Sequence, residues 1–447
     1  MLALVDANNM YVSCERVFSP RLRGRPVVVL SSNDGACIAR SNEAKALGVK
    51  MAQPWFQVRH LEKTQGLIAV SANFELYGDM SSRMMAIEAR YAPRQEIYSI
   101  DESFLDFDGV RGDLVALCRD MRAAIWREVG LPTCVGLGPT KTLAKFANHV
   151  AKEAERKPGS YPRHLAQVCN VGAIDRPALE ELFAATEVGD IWGIGRRISA
   201  KLNESGIRTV RELAHSDAAM LRKQFSVVLE KTLLELRGVS CMALDDQPEG
   251  RQQILVSRSF GKAVTSIDGI VEAVSEFAAR AAEKLRQQGS MASAVNVFFT
   301  TSPFRKNDRQ HEANVTIPLV RPTADTRHLV GAAAGAVHRL FRPGFSYAKA
   351  GVMLMDLQAA GVQQAELDLV GDVEPGSVDT VPAKSSNQAK LMAAMDTLNR
   401  RFGRDAVRIA SQTAVSNGAE TRSWSVRQER RTPRYTTRWA EMPWVKC

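Results

Sequence analysis

The stretch "YSIDESFLDFDG", residues 98–109, sets Asp101 beside Glu102 in chain that otherwise reads as extended. Successive side chains of a strand point to opposite faces, so two adjacent carboxylates reach one site only from a bend. The flanking segments "QEIYSI" and "SFLDF" are each long enough for a strand, which puts the pair near the tip of a hairpin. Residues 1–6 form a short apolar strand ending in Asp6, and a central position for that strand brings its end beside the tip. Three convergent carboxylates repel one another and require cations between them, and hard oxygen ligands favour Mg²⁺. Two such ions about 3.5–4 Å apart stabilise both the attacking and the leaving oxygen of an in-line phosphoryl displacement. Taken alone, an Asp-Glu dipeptide more often marks a solvated turn.

Outward from the hairpin, the polar "NN" at 8–9 caps a helix over Met10–Val17, and "RPVVVLSS" (25–32) is a strand followed by the turn "NDGA". A helix over 40–48 closes at Gly48, 71–91 is helical in period, and helix 113–129, strand 132–137 and helix 139–155 follow. This alternation predicts an α+β layer around an antiparallel sheet. From about 170 to 240 the pattern is helical, with the Gly-rich corner "IWGIGRR", and "DDQPEG" (245–250) is a linker. Residues 251–357 repeat a βαβ unit, which implies four strands backed by two helices. Beyond 358 long periodic segments vanish except around 384–402. Three of the six tryptophans lie after 420 among seven Lys and Arg, the composition of an adaptable docking segment.

A chain of 447 residues exceeds what one core serves. Its 45% hydrophobic and 24% charged residues are those of a globular protein, without an apolar run long enough for a membrane span. The start has no basic n-region and meets Asp6 early, so the expected location is the cytoplasm. Seven scattered cysteines lack zinc spacing and read as free, mostly buried thiols. The net charge of +10 fits a polyanionic partner, nucleic acid being the natural one.

"DANNMYVSCE" (6–15), "RPVVVLSSNDGACIARSNEAKALGVKM" (25–51), "ELYGDMS" (75–81), "YSIDESFLD" (98–106), "VGLGPTKTLAKFANHVAK" (135–152), "VGDIWGIGRRISAKL" (188–202) and "PRYTTR" (433–438) occur in the order of a known family. Together they resemble a Y-family translesion DNA polymerase, in particular the UmuC-like catalytic subunits of DNA polymerase V. The resemblance runs from residue 1 to the tail. It implies a right-hand α+β multidomain fold: a ferredoxin-like palm (1–18 and 72–168), small fingers (19–71), a helical thumb with a helix-hairpin-helix (169–244), a βαββαβ little finger (251–357) and a partly irregular, partner-docking C-terminal extension (358–447). It also implies error-prone, template-directed translesion synthesis in the DNA-damage (SOS) response. Asp6, Asp101 and Glu102 would hold two Mg²⁺ ions, with deoxynucleotides and primer-template DNA as substrates. Implied partners are a UmuD′-like dimer, a RecA-like recombinase filament and the sliding clamp.

Tyr11 follows Asp6 by five residues, and its ring can lie beneath the sugar of a nucleotide whose phosphates meet the metals. In the resembling family this position is the steric gate; the plainer reading is that Tyr11 packs a helix onto the sheet. "GLGPTKT" (136–142) lacks the ending of a Walker A loop. In the helix that follows, Lys145 and Lys152 lie only about 40° and 20° round from Lys141, making one stripe of ammonium groups. Such a stripe is commonly a solvated face, but the resemblance places Lys152 on the triphosphate. Lys45 stands where the family often has Arg, and Asn42 where many members have Tyr, so a phosphate-binding charge remains without the bidentate fork.

In "IWGIGRRISAKL", Gly193 and Gly195 allow a tight corner whose backbone N–H groups hold a DNA phosphate, beside Arg196 and Arg197. The repeat carries Arg258, Lys262, Arg305, Lys306, Arg309 and Lys349 near strand ends and loops. "QAELDL" (364–369) occupies the place of a clamp peptide, with Gln364, Leu367 and Leu369 as a polar-then-apolar anchor; the plainer reading is a polar linker. Two other functions compete: a nucleotidyl cyclase on a similar palm, and a non-catalytic DNA-binding scaffold that recruits repair partners. Retention of all three acids argues against the scaffold.

Overall fold

The computed structural model describes residues 1–245, 250–305, 307–360, 382–403, 406–412 and 424–444, with backbone only for 382–386. The chain forms two compact units, Met1–Pro248 with Glu429–Cys447, and Glu249–Gln428.

The first unit holds strands β1 (Leu2–Ala7), β2 (Val27–Leu30), β3 (Cys37–Arg40), β4 (Ile68–Ser71), β5 (Arg94–Ile97), β6 (Glu102–Asp106), β7 (Thr133–Gly138) and β8 (Val168–Asn170). Five of them make one sheet in the order β5-β6-β1-β7-β8, so the N-terminal strand is central as its apolar sequence requires. It is antiparallel to both neighbours, and only the edge pair β7–β8 is parallel. Alternate side chains serve different layers. Ala3, Val5, Leu105, Val135 and Leu137 join a core with Met80, Met84, Met121 and Ile125 from helices Phe74–Glu88 and Leu114–Val129. Leu4 and Phe104 instead meet Ala144 of helix Lys141–Arg156.

Helix Lys141–Arg156 lies directly on the sheet because β7 supplies glycines. A Cβ on Gly136 would stand 2.1 Å from Asn148 N and 2.3 Å from Ala144 O. Asn148 completes the contact by donating its amide to Cys134 O at 2.9 Å. Thr140 caps the helix, its hydroxyl accepting from Leu143 N.

Strands β2, β3 and β4 make a second sheet, order β3-β2-β4, in which β2 and β4 are parallel. It has a small core of its own around Val28, Leu30, Cys37, Val49 and Leu67. Residues 176–236 fold into five short helices around Leu182, Phe183, Leu202, Leu213 and Leu233.

In the second unit β9 (Ile254–Val264), β10 (Ser290–Thr301), β11 (Glu312–Thr323) and β12 (Tyr347–Ala359) form an antiparallel sheet, order β11-β10-β12-β9. Helices Ile267–Gln287 and Thr326–Leu340 pack on it, which is the βαββαβ arrangement the repeat predicts.

Two expectations change. Asn9 precedes its helix in left-handed backbone at φ 48° and makes no side-chain cap, because its amide is used elsewhere. The C-terminal extension is not one adaptable segment: Trp424 is buried edge-on to Phe277 at 5.7 Å in the second unit, whereas residues from Glu429 onward belong to the first. Helix Pro382–Phe402 is held to the second unit by Asp396, which pairs with Arg286 at 2.6 Å. Cys14, Cys37, Cys118, Cys134 and Cys169 are free and buried, as expected. Among the described residues no helix is long and apolar enough to cross a membrane.

Gly136→Ala is expected to destabilise the first unit by roughly 3 kcal/mol, since the blocking atoms are backbone and cannot rotate away. Thermal unfolding measures it against Gly195→Ala, where the added carbon meets nothing within 4 Å.

Candidate active site

The acidic pair sits where β5 turns into β6. Tyr98 N and Ser99 N both donate to Glu102 O, at 3.1 and 3.0 Å, closing the hairpin over a bend at Ser99–Asp101. Ser99 Oγ organises that bend: it donates to Asp101 Oδ1 at 2.7 Å and accepts from Asp101 N and Glu102 N. Ala7 N donates to Asp101 O at 2.9 Å, which ties the tip to the end of β1. Asp6 is then the direct cross-strand partner of Glu102, on the face of the sheet that carries Leu4 and Phe104.

Burial pushes the Asp6 carboxyl up to about 7, Glu102 adds to the rise, and Lys152 opposes it. Burial also acts against ionised Glu102, but the hydrogen bonds from Asp6 and Lys145 and the nearby lysine charges outweigh it and hold Glu102 below the usual range. The two carboxyls are therefore driven apart: Asp6 takes up a proton more readily than an ordinary carboxyl, and Glu102 less readily.

The charge facing the pair comes from the lysine stripe. Lys152 Nζ meets Asp6 Oδ2, Lys145 Nζ meets Glu102 Oε2 at 2.9 Å, and Lys141 Nζ meets Glu96 Oε2. This is no solvated face, since Lys141 is 6% exposed. Lys145 is further enclosed by the rings of Tyr98 and Trp192, its Nζ 4.5 and 5.0 Å from their centroids. Trp192 belongs to the "IWGIGRR" corner, which thus packs against the hairpin tip.

A second group of cations lies beside Lys152. Burial lowers the Lys45 ammonium to about 8, and Arg156, Arg40 and Lys152 reinforce the shift. Burial lowers the Arg40 guanidinium too, and Arg156 adds to it. Asn9 orients the group: Lys45 Nζ donates to Asn9 Oδ1 at 2.6 Å, and Asn9 Nδ2 donates to Asn42 Oδ1 at 3.1 Å. Four cations gather here, Arg156 paired with Glu153 and Lys152 with Asp6, a cradle whose excess positive charge suits a polyanion. Arg40 and Arg156 are absent from the sequence expectations, and Asn9 entered them only as a helix cap.

Tyr11 is half-buried between the acids and the helix Phe74–Glu88. Its ring stacks on Tyr77 at 4.5 Å and 13°, with Phe74 edge-on at 5.9 Å. Burial and then the charge of Asp101 raise its hydroxyl above the usual tyrosine range.

Gly193 takes φ 87°, which needs glycine, and Gly195 begins helix Arg196–Glu204 with open space at its Cα. Arg196 and Arg197 are exposed there. Arg258 and Lys262 lie on β9 of the other unit, half-buried and exposed respectively. Gln364, Leu367 and Leu369, and Lys306 of the repeat, lie outside the described residues.

A divalent cation suits the donors present. Asp6 and Glu102 offer hard oxygens on one face of the sheet, and burial holds the Asp6 carboxyl above its ordinary range, a cost that a bound cation would offset. Among the described residues no three carboxylate, imidazole or thiol groups gather at one ion-sized point, and Asp101 is engaged with Ser99 beside the pair.

A model of the impB/mucB/samB family matches residues 5–149, and one of its C-terminal domain matches 251–367. Protein UmuC of Salmonella typhimurium is 41% identical over the full length of both chains, and Protein MucB of Escherichia coli is 40% identical over 99% of each. The chain belongs to the impB/mucB/samB family. Its fold is that of the Y-family DNA polymerases: a chimera of Dbh and Dpo4 superposes with a TM-score of 0.63, covering 80% of this chain and 99% of that one at 20% identity. A DNA polymerase IV of Moorella thermoacetica is 29% identical over 90% of this chain and 93% of its own. The first impB/mucB/samB segment contains Asp6, Tyr11, Asn42, Lys45, Asp101 and Glu102, and stops just before Lys152. Residues 389–445 match a domain of unknown function.

The depressed Lys45 carries its charge below about pH 8 and loses it above. Affinity for inorganic tripolyphosphate, followed by calorimetry, is expected to fall on the order of fivefold from pH 7 to 9 relative to Lys45→Arg, which keeps its charge throughout.

Proposed function

We propose that the chain is a template-directed DNA polymerase of the translesion type, acting in the DNA-damage (SOS) response by nucleotidyl transfer on primer-template DNA. The observation that carries the reading is the cross-strand Asp6–Glu102 pair, joined through Lys152 to the cations around Lys45 and accompanied by the Tyr11 ring stacked on Tyr77 beside Asp101. A triphosphate seated among Lys45, Arg40, Lys152 and Arg156 places its α-phosphorus toward the acids and its sugar toward Tyr11. Asp6, Asp101 and Glu102 would hold two Mg²⁺ ions. When bound there, Mg²⁺ supplies Lewis acidity toward the primer hydroxyl and charge neutralisation at the departing pyrophosphate.

The chain's own residues do the rest. Lys145, fixed on Glu102 and enclosed by rings, keeps that carboxylate ionised and aimed. Lys152 pairs with Asp6 and is itself one of the cradle cations, so it is the cation poised to meet incoming phosphate. Tyr11, held flat by Tyr77, excludes a 2′-hydroxyl. Gly193, Gly195, Arg196 and Arg197 hold a DNA phosphate without reading sequence, and Arg258 and Lys262 grip the duplex backbone. Residues 1–18 and 72–168 act as palm, 19–71 as fingers, 169–244 as thumb and 251–357 as little finger. A UmuD′-like dimer, a RecA-like filament and a clamp reading Gln364, Leu367 and Leu369 complete the proposal.

Asp101→Asn is expected to reduce primer extension about 10³-fold while gel-shift affinity for primer-template stays within a few-fold. Extension at the wild-type rate would refute the catalytic assignment, and loss of DNA binding would move Asp101 to a structural role.

A further inference from the structure

The C-terminal segment is linked to Tyr11 through a chain of contacts. Its backbone runs alongside the end of β4, where Ser71 N donates to Arg430 O at 3.0 Å and Arg430 N returns a bond to Ser71 Oγ at 3.0 Å. Asn73 then donates its amide to Pro433 O at 3.0 Å, and Tyr435 stacks on Phe18 at 4.8 Å and 6°. These anchors on either side leave Thr432 little freedom. Thr432 Oγ1 donates to Glu15 Oε1 at 3.1 Å, and the Tyr77 hydroxyl donates to the same oxygen at 2.7 Å. Glu15 is fully buried, and its other oxygen has no hydrogen-bond partner among the described residues. The Tyr77 ring is the surface on which Tyr11 lies.

We propose that residues 429–435 form a strap that sets the plane of Tyr11 through Thr432, Glu15 and Tyr77, making Thr432 a positioning residue for the choice between deoxyribose and ribose. The inference rests on reading Tyr11 as the sugar gate, and it gives a role to part of a segment that lies within a domain of unknown function. The physical reason is local. With one hydroxyl removed, a buried carboxylate keeps a single donor, and the phenol that shares it moves to compensate. A stacked ring follows the ring beneath it, and a gate that works by steric exclusion is sensitive to shifts well under the width of a hydroxyl.

The test is single-nucleotide insertion by the full-length chain, read as the ratio of kcat/KM for a deoxynucleotide to that for its ribonucleotide. Thr432→Val is expected to lower that ratio about fivefold, with Thr432→Ser restoring it. Tyr77→Phe, which removes the other hydroxyl and keeps the ring, lowers it similarly and serves if the strap variant folds poorly. In a Tyr11→Ala background Thr432→Val has no further effect on the ratio. If Tyr11→Ala relaxes selection while Thr432→Val and Tyr77→Phe match the wild type, the strap is overturned and the gate stands. If Tyr11→Ala leaves selection unchanged, both the gate and the strap that acts through it are overturned.

Discussion

The site depends on a single register. Asp6 lies directly across from Glu102 because β1 is central and the hairpin tip is bonded to Ala7. A slip of one residue turns every side chain of a strand to the other face. It would bury Asp6 among Met80, Met84 and Ile125 and bring an apolar residue to the reacting face. The register also fixes what the carboxylates face. Gly136 and Gly138 admit helix Lys141–Arg156 onto this side of the sheet, and the helix delivers Lys145 and Lys152 to Glu102 and Asp6. Two acids, Asp6 buried and Glu102 half-buried, are each opposed by an ammonium group, which eases their mutual repulsion.

Much of this was legible in the sequence, for identifiable reasons. The period-2 rule forces Asp101–Glu102 into a bend, and the apolar run before Asp6 marks a central strand. The repeat at 251–357 dictates a four-stranded sheet backed by two helices. The partners of the lysine stripe were not legible, because helical spacing says which residues share a face and not what lies opposite. Arg40 and Arg156 meet at the cradle only through the tertiary fold. Asn9 misled the cap assignment: its residue type favours capping, but tertiary demand for Asn42 and Lys45 takes its amide.

The C-terminal segment was the least legible part. Its mixture of Trp and Arg has no periodicity, so composition alone assigns it to adaptable docking. What places residues 430–435 is backbone hydrogen bonding beside β4 and one aromatic stack, neither of which leaves a pattern in sequence. Trp439 and Trp444 beyond it are exposed.

Manganese binding measured by electron paramagnetic resonance on the full-length chain tests the central claim most directly, since it reads the carboxylate pair without relying on turnover. The account predicts saturable binding by the wild type that weakens at least about tenfold in both Asp6→Asn and Glu102→Gln. Equal affinity in the wild type and the two variants would contradict it, because the cross-strand pair would then hold no cation.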